Sequence, residues 1–150
     1  MGVREIIFRG KRKDNGEWVK GDLIKIKDKY YIRPNANIFQ VPNPLSTLIA
    51  YFSEVIPETV GQYTGLTDEN GNKIFEGDIV YIWCGHGNCV VGKAIVYFDK
   101  ELLQYRVKEI KPYAYDSEVG DLYKDCDFTH IDEYEVIGNK WDNPELLRGE

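Results

Sequence analysis

The stretch PETVGQYTGLTDENGNKIFEGDIVYIW, residues 57–83, decides the fold because it holds two tight turns between β-forming segments. Asn70-Gly71 supplies the positive-φ positions that a tight reversal needs. Glu76-Gly77-Asp78 predicts a second turn, in which the aspartate can accept backbone N–H bonds ahead of the next strand. Residues 79–83 are apolar and mostly β-branched or aromatic, so they predict a buried strand. Residues 58–63 alternate after a proline and predict another strand.

Four carboxylates lie within or beside these turns, and they allow two interpretations. They are Asp68, Glu69, Glu76 and Asp78. One interpretation is a cluster for metal binding or acid–base chemistry. The other, which we favour, is turn chemistry, since Asp, Asn and Gly are the residues that tight turns use. The spacing also lacks the further oxygen ligands and the closing glutamate of an EF-hand loop.

Motifs near both ends of the chain accompany the central stretch. Residues 4–9 read REIIFR, residues 135–139 read EVIGN and residues 143–147 read NPELL. Together with the central stretch, these motifs resemble the YopX family, small proteins of phages and prophages. The resemblance implies that the central stretch opens a small SH3-like barrel and that the chain has a phage or prophage setting. The resemblance implies no enzymatic reaction, so we expect no enzyme and no cofactor.

The composition independently favours β-structure. Eleven Tyr, six Phe and three Trp with a single Met are more typical of sheets than of helix bundles. The composition changes at Pro57. We therefore predict a mostly β protein with a small N-terminal β-sheet subdomain, residues 1–57, and a C-terminal SH3-like barrel, residues 58–150.

The remaining elements follow from alternation and from turn residues. A reversal at Asn15-Gly16 separates the first two strands. Residues 45–56 fit either a short helix or an irregular strand. Near the C-terminus, Asn143 and Pro144 suit the first positions of a helical turn. The predicted strands outside the central stretch are residues 3–9, 18–27, 30–32, 90–98, 104–110 and 131–137.

Three features of the sequence bear on the cellular compartment. It has no run of 18 or more apolar residues, so we expect no membrane-spanning helix. The N-terminus lacks the basic-then-apolar layout of a secretory signal. The three cysteines are an odd number, which argues against a disulfide framework. We expect a cytoplasmic protein of the host cell.

Cys84, His86 and Cys89 are candidate zinc ligands, because thiolate and imidazole are groups that zinc prefers. Cys126 and His130 could complete a tetrahedral site. The spacing matches no common zinc pattern, so we favour a hairpin tip with an incidental histidine. A Cys–His nucleophile is also disfavoured, because glycines on both sides leave the first histidine without a fixed position. The sequence lacks the Walker A, GxGxxG, HExxH and GxSxG motifs as well.

The net charge of −6 is unevenly distributed along the chain. Residues 1–57 carry ten Lys or Arg and six Asp or Glu, a balance of +4, whereas residues 58–150 carry nine and nineteen, a balance of −10. Such charges can simply decorate solvated surfaces. Alternatively, a basic face and an acidic face let copies of the chain meet head to tail, or let each half attract a different partner. This second interpretation predicts a homo-oligomer.

Basic residues gather around the N-terminal hairpins with aromatic residues between them. Aromatic rings can stack on bases while Lys and Arg hold phosphates, although the overall negative charge lowers the affinity for polyanions. The acidic residues between Asp116 and Glu135 could instead imitate DNA phosphates, but a solvated sheet edge is the simpler explanation. The candidate nucleic-acid-binding residues are Lys11, Arg12, Lys13, Trp18, Lys25, Lys27, Lys29, Tyr30 and Tyr31.

These observations favour a non-enzymatic, phage-derived module that binds or assembles through protein–protein contacts, as a homo-oligomer and without a membrane. The alternative is a nucleic-acid-binding module that uses the basic hairpins. The identity of the protein partner does not follow from the sequence.

Overall fold

Antiparallel strand pairs dominate the fold, so the prediction of a mostly β protein is confirmed. The structure, a computed structural model, describes residues 2–34, 52–83, 90–112 and 134–148. The chain divides into two compact units, Met1–Tyr63 and Thr64–Glu150. The composition places the boundary earlier, after residue 57. Within the described ranges, no helix is long and apolar enough to cross a membrane.

The first unit contains a sheet in which β1 to β4 are joined by the start of β5. Its strand order is β4-β3-β2-β1-β5. The turn before β2 is the predicted Asn-Gly reversal, since Gly16 has a φ of 72° and Asn15 Oδ1 accepts a hydrogen bond from Glu17 N–H at 2.9 Å. The strands are β1 Phe8–Lys11, β2 Trp18–Ile26, β3 Lys29–Pro34, β4 Ser53–Val55 and β5 Gly61–Thr67.

The core of the first unit lies on one face of this sheet. Ile32 of β3 and Val55 of β4 are almost completely buried. Gly10 of β1 lies against them, and a Cβ there would be 3.1 Å from the Val55 Cβ. The sequence leaves residues 45–56 open between a short helix and an irregular strand. Near the end of this segment, residues 53–55 form a strand. Residues 45–51 lie outside the described ranges.

The second unit contains β6, which is the neighbour of the later half of β5, and a four-stranded sheet. The sheet has the order β10-β7-β8-β9, with antiparallel pairing throughout. Closure into a barrel would require its outer strands to pair. In the described part of the chain neither sheet closes, so the SH3-like barrel that the resemblance implies is not seen there. The strands are β6 Lys73–Phe75, β7 Asp78–Trp83, β8 Val90–Asp99, β9 Gln104–Pro112 and β10 Tyr134–Asn139.

The core of the second unit confirms the buried strand predicted at residues 79–83. Strand β7 buries Ile79, Val80 and Ile82 completely. Because successive side chains of a strand point to opposite faces, Val80 and Ile82 share one face. The cluster on that face consists of Ile74, Val80, Ile82, Ala94, Val96, Val107 and Tyr134.

The predicted strand at residues 58–63 is wrong in its first half. Pro57–Thr59 forms a 3-10 turn, and β5 begins only at Gly61. Proline is favourable at the first position of a helical turn because it donates no N–H there. Thr59 fixes the turn, since its Oγ1 donates to Ile56 O at 2.6 Å and accepts from Lys11 N–H at 2.8 Å. The C-terminal turn is a 3-10 turn, Pro144–Arg148, and begins at the predicted proline.

Candidate functional site

The first candidate site consists of the carboxylates of the central stretch. The contacts of Asp68 show that its carboxylate stabilises a turn. Asp68 is 5% exposed. Its Oδ1 accepts hydrogen bonds from the N–H groups of Asn70 at 3.0 Å and Asn72 at 2.8 Å. Its Oδ2 accepts from Asn72 Nδ2 at 3.2 Å and from Val136 N–H at 3.0 Å. Asp68 therefore holds its own turn closed and ties that turn to β10.

The electrostatics of Asp68 agree with this structural role. Burial acts to raise the pKa of its carboxyl group, because desolvation disfavours the charged form. The hydrogen bonds from Val136 and Asn72 act in the opposite direction and outweigh burial, so the pKa lies below its ordinary value. A carboxylate held ionised in this way is an acceptor for backbone N–H groups rather than a proton donor.

The second turn uses Asp78 and Gly77. Asp78 is buried, and its Oδ2 accepts a hydrogen bond from Phe75 N–H at 2.8 Å. Gly77 has a φ of 89°, and a Cβ there would overlap the Trp141 ring. The interpretation as turn residues is confirmed for Asp68 and Asp78. Within the described ranges, no three His, Cys, Asp or Glu side chains are grouped to hold a metal ion.

The predicted zinc ligands are outside the part of the chain that the structure describes. This applies to Cys84, His86 and Cys89, and also to Cys126 and His130. The zinc site therefore stays a prediction.

The second candidate is the outward face of the first sheet, which we call the aromatic–basic face. Directly paired residues of neighbouring strands share a face. The register pairs Lys11 with Trp18 across β1 and β2, and Ile24 with Tyr31 across β2 and β3. The residues that the register places on this face are Arg9, Lys11, Trp18, Lys20, Asp22, Ile24, Ile26, Lys29, Tyr31, Arg33 and Glu54.

Trp18 is the centre of a cation–π group at one end of the aromatic–basic face. The Arg9 guanidinium carbon lies 4.9 Å from the Trp18 ring centroid, and the Lys11 Nζ lies 5.5 Å from it. Both distances fall within the range of favourable cation–π contacts. Arg9 is buried, while Trp18 and Lys11 are partly exposed. The indole ring is therefore already in contact with two cations of its own chain.

Acidic side chains neutralise several of the predicted phosphate-binding cations. Arg12 Nη2 lies 2.7 Å from Asp14 Oδ2. Glu54 Oε1 lies 3.0 Å from Lys13 Nζ and 3.9 Å from Lys29 Nζ. Arg33, which also belongs to the face, pairs with Asp22. These pairs are exposed and weak individually, but each brings a negative charge to a cation that would otherwise attract phosphate.

The nine residues predicted to bind nucleic acid do not form one surface. Four of them, Lys11, Trp18, Lys29 and Tyr31, lie on the aromatic–basic face, and Lys27 lies in the turn between β2 and β3. Lys25 and Tyr30 occupy the opposite face, where the Lys25 Nζ lies 5.4 Å from the Tyr30 ring centroid. The two others, Arg12 and Lys13, follow β1 and pair with Asp14 and Glu54.

Sequence reasoning missed several residues of the aromatic–basic face. Arg9, Ile24 and Ile26 were not among the candidates, because two of them are apolar and Arg9 lies outside the basic cluster in sequence. A signal for Arg9 existed, since the Asn15-Gly16 turn fixes the hairpin register that pairs Arg9 with Lys20. Ile26 had no such signal, because an isoleucine in a strand normally faces the core.

Lys93 of β8 is a buried polar residue that the turns do not explain. It is 1% exposed, and its Nζ has no hydrogen-bond partner among the described residues. The register places it opposite Tyr81 of β7, which is in turn opposite Glu135 of β10. Glu135 Oε2 accepts a hydrogen bond from Trp83 Nε1 at 3.0 Å. A buried ammonium without an acceptor destabilises the folded state.

Comparison with known proteins identifies the family of the chain. No curated protein matches the sequence. One solved structure, the crystal structure of protein EF1440 from Enterococcus faecalis, is similar over 97% of this chain and 99% of its own, with 18% sequence identity and a TM-score of 0.48. The family model described as YopX protein matches residues 7–148, nearly the whole chain. The chain therefore belongs to the YopX family.

Proposed function

We propose that this chain is a non-enzymatic binding module of phage or prophage origin, which acts through protein–protein contacts in the host cytoplasm. The observation that carries the proposal is the exposure of apolar side chains on the aromatic–basic face. Ile26 is 58% exposed, and the cross-strand pair Ile24 and Tyr31 is partly exposed beside it. Exposed apolar side chains rimmed by polar residues are typical of protein interaction sites.

The composition of the face supports a protein partner. Protein interfaces are enriched in Trp, Tyr and Arg, and their centres are depleted of unpaired charge. The aromatic–basic face offers Trp18 and Tyr31, and it pairs Arg33 with Asp22 between them. A partner protein can contact both the apolar side chains and the paired charges of this face. A polyanion would have to compete with Asp22 and Glu54 for the same cations.

A nucleic-acid-binding role is the second candidate, and the group around Trp18 favours it. Arg9 and Lys11 lie beside the Trp18 ring, and a cation next to an aromatic ring is the arrangement that can hold a phosphate while a base stacks. This candidate predicts a gel shift that weakens steeply with salt. Reversal of Lys11, Lys13 and Lys27 to Glu should abolish the shift, and a shift that survives the triple reversal would exclude the basic hairpins as the binding site.

The test of the proposed function compares two neighbouring positions of β2. Ile26→Ser alters the aromatic–basic face, and Lys25→Ser alters an exposed position on the opposite face of the same strand. Each variant and the wild type would be used as bait in host lysate, with and without nuclease treatment, after thermal unfolding has shown that all three are folded. We expect a protein partner to be retained by wild type and Lys25→Ser and to be lost by Ile26→Ser.

The other outcomes of this capture experiment are equally informative. A partner retained equally by both variants would refute the aromatic–basic face as the site. Protein bands that disappear on nuclease treatment, together with retained nucleic acid, would support the second candidate instead.

A further inference from the structure

The tip of the β8–β9 hairpin exposes two consecutive leucines. Leu102 is 56% exposed and Leu103 is 76% exposed, in the connection DKELL at residues 99–103. Hairpin tips normally carry polar residues, because these are solvated and can bond to the turn backbone. Two exposed leucines contribute little to the stability of the hairpin, so the fold alone does not account for them.

The tip is held in one conformation by Asp99 and Arg106. Asp99 Oδ1 accepts hydrogen bonds from the N–H groups of Glu101 at 2.9 Å and Leu102 at 3.0 Å. Asp99 Oδ2 lies 3.7 Å from Arg106 Nη1, and both of these side chains are mostly buried. Leucines on a fixed tip lose little conformational freedom when they bind, which favours association.

Leu103 also occupies an unfavourable backbone conformation. Its φ is 54°, in the left-handed region where a bulky side chain is uncommon and glycine is the usual residue. A glycine would thus suit the backbone better, and a polar residue would suit the solvent better. Leucine at this position is therefore unfavourable for the isolated chain on both counts.

We propose that the Leu102–Leu103 tip of one copy docks onto the aromatic–basic face of a second copy. The inference rests on the proposed function, because that face is the receptor. Charge supports the choice of a second copy, since residues 99–103 of the tip carry two acidic residues and one lysine, a balance of −1, whereas the face carries five Lys or Arg and two acidic residues, a balance of +3. Ile24, Ile26 and Tyr31 supply apolar surface that two leucines can cover.

The contact is heterologous, because the tip and the face are different parts of the chain. Two leucines bury far less surface than a standard interface of about 1,600 Å². The association is therefore weak and reversible. Its charge component weakens at high salt.

The test measures self-association by sedimentation equilibrium over a wide concentration range. Leu103→Gly removes the side chain and relieves the backbone, so its thermal midpoint should equal or exceed that of wild type. We expect its self-association constant to fall about tenfold or more, as loss of a buried leucine requires. Lys100→Ser, in the same tip, is the control and should leave self-association within about twofold. Ile26→Ser should weaken it as much as Leu103→Gly.

Mixing the two variants tests the heterologous geometry. Leu103→Gly retains an intact face, and Ile26→Ser retains an intact tip. An equimolar mixture should therefore form mixed dimers, although each variant alone associates only weakly. Absence of mixed dimers, a monomeric wild type at all concentrations, or unchanged self-association of Leu103→Gly would each overturn the tip proposal. Capture of a host protein that depends on Ile26, together with unchanged self-association of Leu103→Gly, would leave the proposed function intact while excluding a second copy as the partner.

Discussion

Replacement of Asp68 by asparagine tests whether the central stretch is primarily structural. The Asp68 carboxylate accepts four hydrogen bonds, two at each oxygen. An amide can keep its oxygen towards the N–H groups of Asn70 and Asn72. Its NH₂ group would then face two donors, Val136 N–H and Asn72 Nδ2. Hydrogen bonds to charged groups contribute about 1.5 to 3 kcal/mol each and are not additive, so we expect Asp68→Asn to lower the free energy of unfolding by about 2 to 4 kcal/mol.

Urea denaturation followed by tryptophan fluorescence measures this loss. We expect a lower denaturation midpoint with an unchanged slope, which indicates a change in stability without a change in the surface exposed on unfolding. The matched control is Glu69→Gln, which alters an exposed carboxylate one residue away and should change the stability by less than about 0.5 kcal/mol. If Asp68→Asn lowered the free energy of unfolding as little as this control, the link between the turn and β10 would not be a major source of stability.

The lowered pKa of Asp68 predicts how the stability difference between wild type and Asp68→Asn depends on pH. Because the pKa of Asp68 is lowered in the folded state, its stabilising contribution is complete above the unfolded pKa of about 3.9. That contribution is lost as the pH falls through the folded pKa, since the protonated carboxyl can no longer accept at both oxygens. The stability difference between wild type and Asp68→Asn should be constant between pH 7 and pH 5 and should shrink below about pH 4. A difference that grows on acidification would refute the sign of the shift.

Three further predictions follow from other positions. Gly77→Ala should lower the free energy of unfolding by about 2 kcal/mol or more, measured by urea denaturation, because its Cβ would overlap Trp141 and its φ of 89° suits glycine. Lys93→Met should raise the thermal midpoint, with a gain of about 1 to 3 kcal/mol, because it removes a buried ammonium; a lower midpoint would show that the ammonium has a stabilising partner. If the loop at residues 84–89 holds zinc, purified protein should contain about one equivalent per chain, and folded protein without metal would refute the site.

Local turn chemistry explains why much of the strand layout could be predicted. Asn15-Gly16 and Asn70-Gly71 each predict a reversal from two residues, and Gly16 and Gly71 have φ values of 72° and 80°. Short-range hydrogen bonds of Asp and Asn side chains fix such turns, so they depend little on distant residues. The alternation at residues 58–63 predicts a strand throughout, whereas in the structure Thr59 closes a 3-10 turn and accepts a hydrogen bond from Lys11 N–H, which is distant in sequence.

The membership of the aromatic–basic face could not be predicted in the same way. Whether a residue faces this surface depends on the register of its strand, and a shift of one residue moves every side chain to the other face. Sequence proximity groups Lys25 and Tyr30 with Trp18, yet the observed register places them on the opposite face. The ion pair between Lys13 and Glu54 joins residues that are far apart in sequence. Composition alone therefore overestimated the free positive charge of the hairpins.

The side chains proposed to act in binding differ in kind from those that stabilise the fold. Asp68 and Asp78 are the strongest candidates for chemistry by residue type, but their carboxylates bind backbone N–H groups that would otherwise be unsatisfied. The exposed Ile26 and Leu103 have no comparable role in the fold, and Leu103 is held in an unfavourable conformation. Glycine would suit the backbone at this position better than leucine. The proposed docking onto a second copy would give the Leu103 side chain a role that the fold does not, which is why contact surfaces rather than acid–base groups direct the experiments on this protein.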